Sequence, residues 1–433
     1  MRCDILKEEI PLKKTIALLL CLVLAVGLLG CSPKEEESSS ATLQIGFSRQ
    51  DITPDGSVQI HGYPGLENRW SHNVLDPITA TCIAITDAQD NTILLYTMDL
   101  LYCEASVIMA KRAITKATGV DALNIIIATT HNHSAPWVES TAYWVPDYVD
   151  FMHEQMVTAA VEAMADRKSA EVYATSTTMK GMTFVRHYLM NDGTVAGANF
   201  GSWDSGIVKH MRDADEQLQL IRFKREGGKD VVMINWQTHP LRTGGATNSD
   251  ISADLPGSMR TELESLLGCH AAYFSGAHGD LMPTSMITSE NLGVDYIEQG
   301  KLMAQQALLA MDSMTKMDAG KVQMIRHDQE IRKNDNTSDF SIWAFSIGDI
   351  GFAVAPYEMF DNNGMYVKEN SPFEMTFVLS NANSSGSYIA ADWAYYEDIV
   401  SYEAGKANYE KGTAESLAES FVEILNGLYA TRK

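Results

Sequence analysis

The sequence predicts an α/β fold: a single large layered domain with mixed β-sheets flanked by helices. Two observations lead to this expectation. Short apolar runs rich in β-branched residues, such as "NIIIATTH" and "VVMINWQTH", recur along the chain and are typical of buried strands. Longer segments with apolar residues at helical spacing lie between them, and this alternation is typical of a layered α/β domain.

These segments follow one another through residues 42–430 without a repeat, and we interpret that range as one catalytic domain. The predicted strands are "TCIAITDA", "TILLYTMDL", "NIIIATTH", "VVMINWQTH", "DIGFAVAPYE" and "MTFVLSNAN". The predicted helices are "ASVIMAKRAITKATG", "YVDFMHEQMVTAAVEAMADR", "LPGSMRTELESLLG" and "NLGVDYIEQGKLMAQQALLAMDSM". Several strand ends carry polar side chains: Asp99, His131, His239 and Glu358. Because open α/β sheets bind ligands at strand ends, we expect function there.

The 433-residue chain is strongly acidic, with a formal net charge of −23. This charge argues against nucleic acid as a partner and against a polybasic membrane patch. The apolar fraction of 45% is that of a globular protein with a core. The sequence does not determine the oligomeric state.

Residues 1–30 resemble the signal peptide of a bacterial lipoprotein. Lys13 and Lys14 precede the apolar run "TIALLLCLVLAVGLLGC", which ends at Cys31. The "LLGC" segment predicts cleavage before Cys31 and lipidation of that residue, followed by a polar tether over residues 31–41. We therefore expect a cell-envelope protein, anchored to the outer face of the cytoplasmic membrane or to the outer membrane. An uncleaved anchor is the alternative, although the apolar run is short for a membrane span.

Three cysteines follow the leader: Cys82, Cys103 and Cys269. Their wide spacing matches no thiolate metal motif. An exported domain of this size does not need disulfides to fold, so we expect buried free thiols, with one disulfide as the alternative.

The segment "THNHSAP" places His131 and His133 two residues apart at a strand end. Alternate residues of an extended strand face the same side, so these two imidazoles can converge. His239 in "QTHP" and Glu358 in "APYE" also follow predicted buried strands. Histidine nitrogens and a carboxylate are a suitable ligand set for zinc. Each residue is alternatively a strand cap or turn residue, and periodicity does not show that the strands are neighbours.

Seven segments, in order, resemble the catalytic domain of the neutral/alkaline non-lysosomal ceramidase family. They are "IGFSRQDITP", "THNHSAP", "FVRHYLMNDGTV", "VVMINWQTHP", "ISADLPG", "GAHGD" and "GSYIAADWAYYEDIVSYE". The resemblance covers nearly the whole chain after the tether, and "THNHSAP" is its most specific motif. It implies a Zn²⁺ ion held by His131, His239, Glu358 and Tyr388. It also implies that three residues act on the substrate side: His133, Arg186 and Tyr402.

The sequence departs from that family where its ceramidases carry a nucleophilic serine, because Met282 stands there in "GDLMPTS". A thioether is no substitute for that nucleophile, and Ser285 lies three residues further on. We therefore expect metal-activated water to attack the carbonyl, with Arg186 or Tyr402 stabilising the oxyanion and His133 moving the proton. His278 in "GAHGD" is a second acid/base candidate, although we favour a loop role. Asp254 in "ISADLPG" either supports the metal site or caps a helix.

Two functions are consistent with these observations. The first is a zinc-dependent hydrolase of an amide or ester bond, with a lipid-like N-acyl compound as substrate. The alternative is a non-catalytic envelope lipoprotein that retains the ceramidase-like scaffold for binding. The sequence is equally consistent with ceramide and with other N-acyl or ester compounds as the substrate.

Overall fold

The structure is a computed structural model that describes residues 43–63, 69–139, 146–197, 204–241, 243, 249–283, 295–333, 336–384, 386–407 and 409–432. The strands are β1 (Leu43–Asp51), β2 (Thr79–Thr86), β3 (Thr92–Met98), β4 (Ile125–Thr129), β5 (Lys168–Thr178), β6 (Phe184–Val185), β7 (Tyr188–Met190), β8 (Val195–Ala196), β9 (Ile207–His210), β10 (Gln217–Arg225), β11 (Val231–Trp236), β12 (His270–Ser275), β13 (Leu281–Met282), β14 (Thr315–Lys316), β15 (Val322–Lys333), β16 (Asn336–Ile347), β17 (Ile350–Val354), β18 (Tyr357–Met359), β19 (Met375–Leu379) and β20 (Gly386–Ile389). The helices are α1 (Ala105–Thr118), α2 (Pro146–Ala165), α3 (Asp254–Leu267), α4 (Tyr296–Met311), α5 (Asp361–Asn370), α6 (Tyr402–Ala407) and α7 (Thr413–Thr431).

Two β-sheets pack face to face around the main core. The larger has nine strands in the order β12-β11-β10-β5-β1-β2-β3-β4, with β14 paired to β5, and the smaller has the order β15-β16-β17-β19. Alternate residues of each strand point into the space between the sheets, as the period of a strand requires. The core there includes Ile45, Leu95, Phe223 and Phe274 from the large sheet and Phe345, Phe352 and Phe377 from the small one.

Helices cover the outer faces of both sheets. Helices α1 and α2 pack on the outer side of β2, β3 and β4, and α3 and α4 pack on the outer side of β10, β11 and β12. Helix α7 covers the outer face of the small sheet. The result is a sandwich of helix, sheet, sheet and helix layers, which confirms the predicted layered α/β fold with mixed sheets.

The strands and helices expected from the sequence correspond to β2, β3, β4, β11, β17 with β18, β19, and α1 to α4. The long hairpin of β15 and β16 was not expected. Its outer half alternates exposed polar and charged side chains, as in "RHDQEIRK", and carries no buried apolar run. Most neighbouring strands of the large sheet are antiparallel, and the parallel pairs are β3 with β4 and β11 with β12.

The two edge strands of the large sheet, β4 and β12, approach each other. The Ser275 hydroxyl at the end of β12 donates to the Thr130 carbonyl just after β4, over 2.8 Å. The chain that leaves β19 connects both edges: the amide of Ser380 donates to Ser275, and that of Asn383 donates to Ile127. The carboxyl ends of β4, β11, β12 and β19 therefore open into one region.

The three cysteines of the folded part are free and buried, as the sequence predicted. Burial raises the pKa of the Cys82 and Cys103 thiols to about 12 and that of Cys269 to about 11. These thiols are therefore protonated at neutral pH and unreactive.

Candidate metal centre

Loops that follow three different strands bring three imidazoles to the region where the sheet edges meet. His131 follows β4 and adopts the left-handed backbone conformation, with φ of 60°. This conformation is unfavourable for a residue with a Cβ and is held only where surrounding contacts enforce it. Here the amides on either side, of Thr130 and Asn132, donate to the carbonyls of Met98 and Leu100. The strained backbone conformation is therefore that of His131, the first candidate ligand of the "THNHSAP" segment.

The Nδ1 atom of each imidazole lies within hydrogen-bond distance of a backbone carbonyl. The pairs are His131 with Leu101 at 3.2 Å, His239 with Leu281 at 2.8 Å, and His278 with Gly276 at 2.8 Å. A proton on Nδ1 leaves Nε2 with its lone pair, which is the tautomer that binds a metal through Nε2. Burial lowers the pKa of all three imidazoles and so favours the neutral form.

Glu358, in β18, supplies the carboxylate of the centre. Its Oε2 atom lies 3.4 Å from Nε2 of His131 and 3.4 Å from Nε2 of His239, and all three side chains are fully buried. Among the described residues, Glu358 Oε2 and His239 Nε2 have no hydrogen-bond partner. Lone pairs that face one another in a buried site are costly unless a cation or a proton lies between them. The donor set thus fits a divalent metal ion.

His278 belongs to the same cluster, although the sequence offered it as a second acid/base candidate, favoured a loop role and did not predict a metal ligand there. Ligand atoms of His131, His239, His278 and Glu358 all lie within 4.8 Å of one another, so this buried group is able to hold a metal ion. The amide of Asn381 contacts both His131 and His278, since its Nδ2 lies 3.3 Å from His278 Nε2 and 2.9 Å from His131 Nδ1. An amide group therefore lies against His278 Nε2, whereas Nε2 of His131 and Nε2 of His239 face Glu358 Oε2.

Tyr388 lies beside Glu358, because β20 pairs with β18 in parallel and these two residues are direct partners. Paired residues of neighbouring strands point to the same face, so the phenol and the carboxylate share one side. Burial and the Glu358 carboxylate raise the pKa of Tyr388 well above its ordinary value, while Arg186 lowers it. The structure thus brings His131, His239 and Glu358 together and places Tyr388 next to them.

His133 and Tyr402 line a pocket of about 290 Å³ in front of the centre. His133 Nε2 lies 3.2 Å from His131 Nε2, and burial lowers the pKa of His133 well below its usual value. The Tyr402 ring packs edge-on against Tyr388, with 5.8 Å between centroids. The remaining rings of the pocket wall are His61, Tyr63, Tyr102, Trp137 and Tyr388.

Arg186 lies against the Tyr388 ring, with its guanidinium carbon 5.5 Å from the ring centroid. It donates to the Glu403 carboxylate over 2.7 Å and to the Gly279 carbonyl over 2.9 Å. Glu403 also contacts His187 at 3.1 Å, and both partners are completely buried. Arg186 thus connects the loop of His278 to helix α6 and supports Tyr388.

Met282 is buried in β13, next to the carbonyl of Leu281 that holds His239. The position where the family's ceramidases carry serine is therefore beside the centre, and a thioether stands there. Ser285 lies outside the described residues. Asp254 begins α3 and accepts hydrogen bonds from the amides of Leu255 and Thr243.

Three residues that contact the site were not among those predicted from the sequence: Tyr102, Asn381 and Glu403. Tyr102 donates to Glu358 Oε1 over 2.7 Å and thereby orients the carboxylate. Tyr102 and Asn381 each lie a few residues after a predicted strand. They therefore met the criterion that selected His131, a polar side chain at a strand end. Asp99 met the same criterion and was selected, but it forms a buried ion pair with Arg260 away from the metal centre's ligands.

Fold and site together define an α/β sandwich with a buried histidine and glutamate cluster able to hold a metal ion. The fold is similar to that of neutral ceramidase from Pseudomonas aeruginosa, with a TM-score of 0.73 and 16% identity over 90% of this chain and 75% of that one. It is similar also to a ceramidase complexed with C2, with a TM-score of 0.73 and 15% identity over 90% and 76% of the two chains. No protein-family model matches the sequence, and no curated protein matches it significantly. The predicted resemblance to neutral ceramidases is confirmed in the fold.

Proposed function

We propose that this protein is a zinc-dependent hydrolase that cleaves an amide or ester bond in an N-acyl, lipid-like substrate. The observation that carries the proposal is the convergence of Nε2 of His131, Nε2 of His239 and Oε2 of Glu358 in a buried site behind an open pocket. Tyr388 completes the proposed ligand set. Two nitrogens and two oxygens are ligands that zinc accepts, and a pocket in front of them gives access to substrate.

A zinc ion held there would polarise a substrate carbonyl and lower the pKa of a water from ~15.7 to about 7. His133 lines the pocket and accepts the proton of the attacking water. Tyr402 lines the same pocket and donates to the oxygen that becomes negative during the attack. Arg186 supports Tyr388 through its contact with that ring.

Met282 favours direct attack by water, without a covalent acyl-enzyme. Met282→Ala is expected to retain activity, whereas His133→Ala should lower kcat by about 10²–10⁴-fold, the usual contribution of general acid–base catalysis. Tyr402→Phe should lower kcat less, because it removes one donor and leaves the ring. Mass spectrometry of enzyme quenched during turnover checks the mechanism: an acyl adduct on Ser285 or on another hydroxyl contradicts it.

Hydrolysis itself is tested with purified, zinc-loaded protein and a panel of N-acyl amides, ceramide included, together with matched esters. The proposal expects turnover of at least one class, and no turnover by the same protein after zinc is removed with a chelator. Zinc restored to the chelated protein should restore the rate. Activity that survives complete zinc removal contradicts the proposal.

One observation favours a second candidate, a non-catalytic lipid-binding protein. Met282 leaves the serine position without a nucleophile, as expected of a scaffold kept for binding alone. This candidate expects stoichiometric binding of N-acyl lipids by zinc-loaded protein, with no turnover on any member of the panel. The open pocket in front of a buried ligand set supports the hydrolase instead.

We propose further that the protein is a lipoprotein of the bacterial cell envelope. The leader and Cys31 lie outside the described residues, and no helix among the described residues is long and apolar enough to cross a membrane. Cys31→Ala is expected to block processing or to release the protein from membranes, because stable anchoring needs the lipid chains. Cell fractionation checks this: a Cys31→Ala protein of mature size that remains with membranes argues against lipidation.

A further inference from the structure

An imidazole and a carboxylate form a pair on the wall of the pocket, at a site to which the proposed mechanism assigns no role. His61 Nδ1 lies 3.3 Å from Glu104 Oε1, with 25% of the His61 side chain and 5% of the Glu104 side chain exposed. Burial raises the pKa of the Glu104 carboxyl, and the hydrogen bond from His61 acts in the opposite direction. Because Nδ1 is engaged with Glu104, Nε2 is the nitrogen that His61 offers to a ligand.

Aromatic contacts fix the orientation of the His61 ring. Trp137 stacks on it, with ring centroids 4.6 Å apart and an interplanar angle of 21°. Tyr102 meets it edge-on at 5.7 Å, and Tyr102 is the residue that donates to Glu358. One side chain therefore separates the His61 ring from the carboxylate of the metal centre.

The backbone of His61 is fixed to the segment that carries His133. One nitrogen of Arg69 donates to the carbonyls of both residues, over 2.7 Å in each case. Gly62 has φ of 117°, and a Cβ at this position would collide with the His133 imidazole. Only glycine allows this close approach, and it lets the chain place His61 and His133 in one pocket.

Hydrolysis of an amide requires two proton transfers at different places. A base removes a proton from the attacking water, and an acid protonates the nitrogen, since an amide anion is too basic to leave. His133 serves the first transfer in the proposed mechanism. We propose that His61, oriented by Glu104, serves the second and donates a proton to the leaving nitrogen; this inference rests on the proposed function.

In this step the carbon–nitrogen bond breaks and its electron pair goes to nitrogen. The proton on Nε2 of His61 is transferred to that nitrogen, so that a neutral amine leaves and a neutral imidazole remains bonded to Glu104. The proton released by the water that adds to the carbonyl restores the charged imidazole. The net reaction consumes one water and forms one carboxylic acid and one amine.

The substitution His61→Asn separates this role from a structural one, because the asparagine amide can still donate to Glu104 while Nε2 is lost. Two substrates with the same acyl group are compared: an alkyl amide, and a 4-nitrophenyl ester whose leaving group needs no protonation. We expect His61→Asn to lower kcat on the amide by about 10²–10⁴-fold and to change kcat on the ester by less than about tenfold. Zinc content should not change.

Glu104→Gln should show the same selectivity with a smaller loss, and His327→Asn, at a half-buried position of β15 far along the chain from the site residues, should change neither rate. Equal losses on both substrates, or no loss on either, would overturn the assignment of His61 while the hydrolase proposal stands. Absence of turnover by zinc-loaded wild-type protein on both substrates would refute the hydrolase itself and this inference with it.

Discussion

Replacing His239 with alanine is expected to reduce bound zinc from one ion per chain to nearly none, and to abolish hydrolysis with it. His239 Nε2 faces Glu358 Oε2 at 3.4 Å, and among the described residues neither atom has a hydrogen-bond partner. Zinc sites depend on the full ligand set, so loss of one ligand removes most of the affinity. Elemental analysis of the purified variant, with circular dichroism to verify folding, checks the result.

Two further substitutions identify the fourth ligand. If Tyr388 is the ligand, Tyr388→Phe should lose zinc, and His278→Ala should retain it, because the Asn381 amide already lies against His278 Nε2. His327→Ala, at a half-buried position of β15, is the matched control and should bind zinc normally. Unchanged zinc content in His239→Ala would remove His239 from the ligand set, and the opposite behaviour of the Tyr388 and His278 variants would exchange their roles.

Replacing Arg186 with methionine is expected to lower the free energy of unfolding by about 3–5 kcal/mol, the usual cost of breaking one side of a buried ion pair. Arg186 and Glu403 are 1% and 0% exposed and lie 2.7 Å apart, so the substitution leaves a buried carboxylate without its main counter-charge. Urea unfolding measures the change. The comparison is Arg326→Met, which breaks an exposed pair with Asp328 and should cost about 0–1 kcal/mol.

The same pair predicts an acid dependence of stability. Burial acts to raise the pKa of Glu403, but Arg186 and His187 outweigh it and lower the pKa from 4.5 to about 2. A depressed pKa in the folded state contributes stability above the unfolded value, and this contribution is lost as the pH falls from about 4.5 to about 2. Arg186→Met should weaken this dependence, and Arg186→Met with Glu403→Leu should recover part of the stability. Equal unfolding costs for Arg186→Met and Arg326→Met would contradict both expectations.

Much of the fold was predictable because strand and helix periods are local properties of the sequence. The apolar run before His131 and the helical pattern of α2 each identify their element without knowledge of any neighbour. The hairpin of β15 and β16 was not predictable in this way, since its outer half is stabilised by pairing between its two strands rather than by burial of an apolar run. Helix α6 was not predictable either, because its six residues are too few to show a helical period.

The sequence by itself determined the layered α/β class and the residues at which chemistry was expected, because apolar periodicity and strand-end positions are read along the chain. The tertiary structure decided which strand ends meet. Strands β4 and β12 are the outermost strands of the large sheet, and only the closure of its edges brings His131 and His278 together. It also decided that Tyr102 orients Glu358 and that Glu403 pairs with Arg186, across 256 and 217 residues. Such contacts depend on how the layers pack in three dimensions, and no local period of the sequence encodes them.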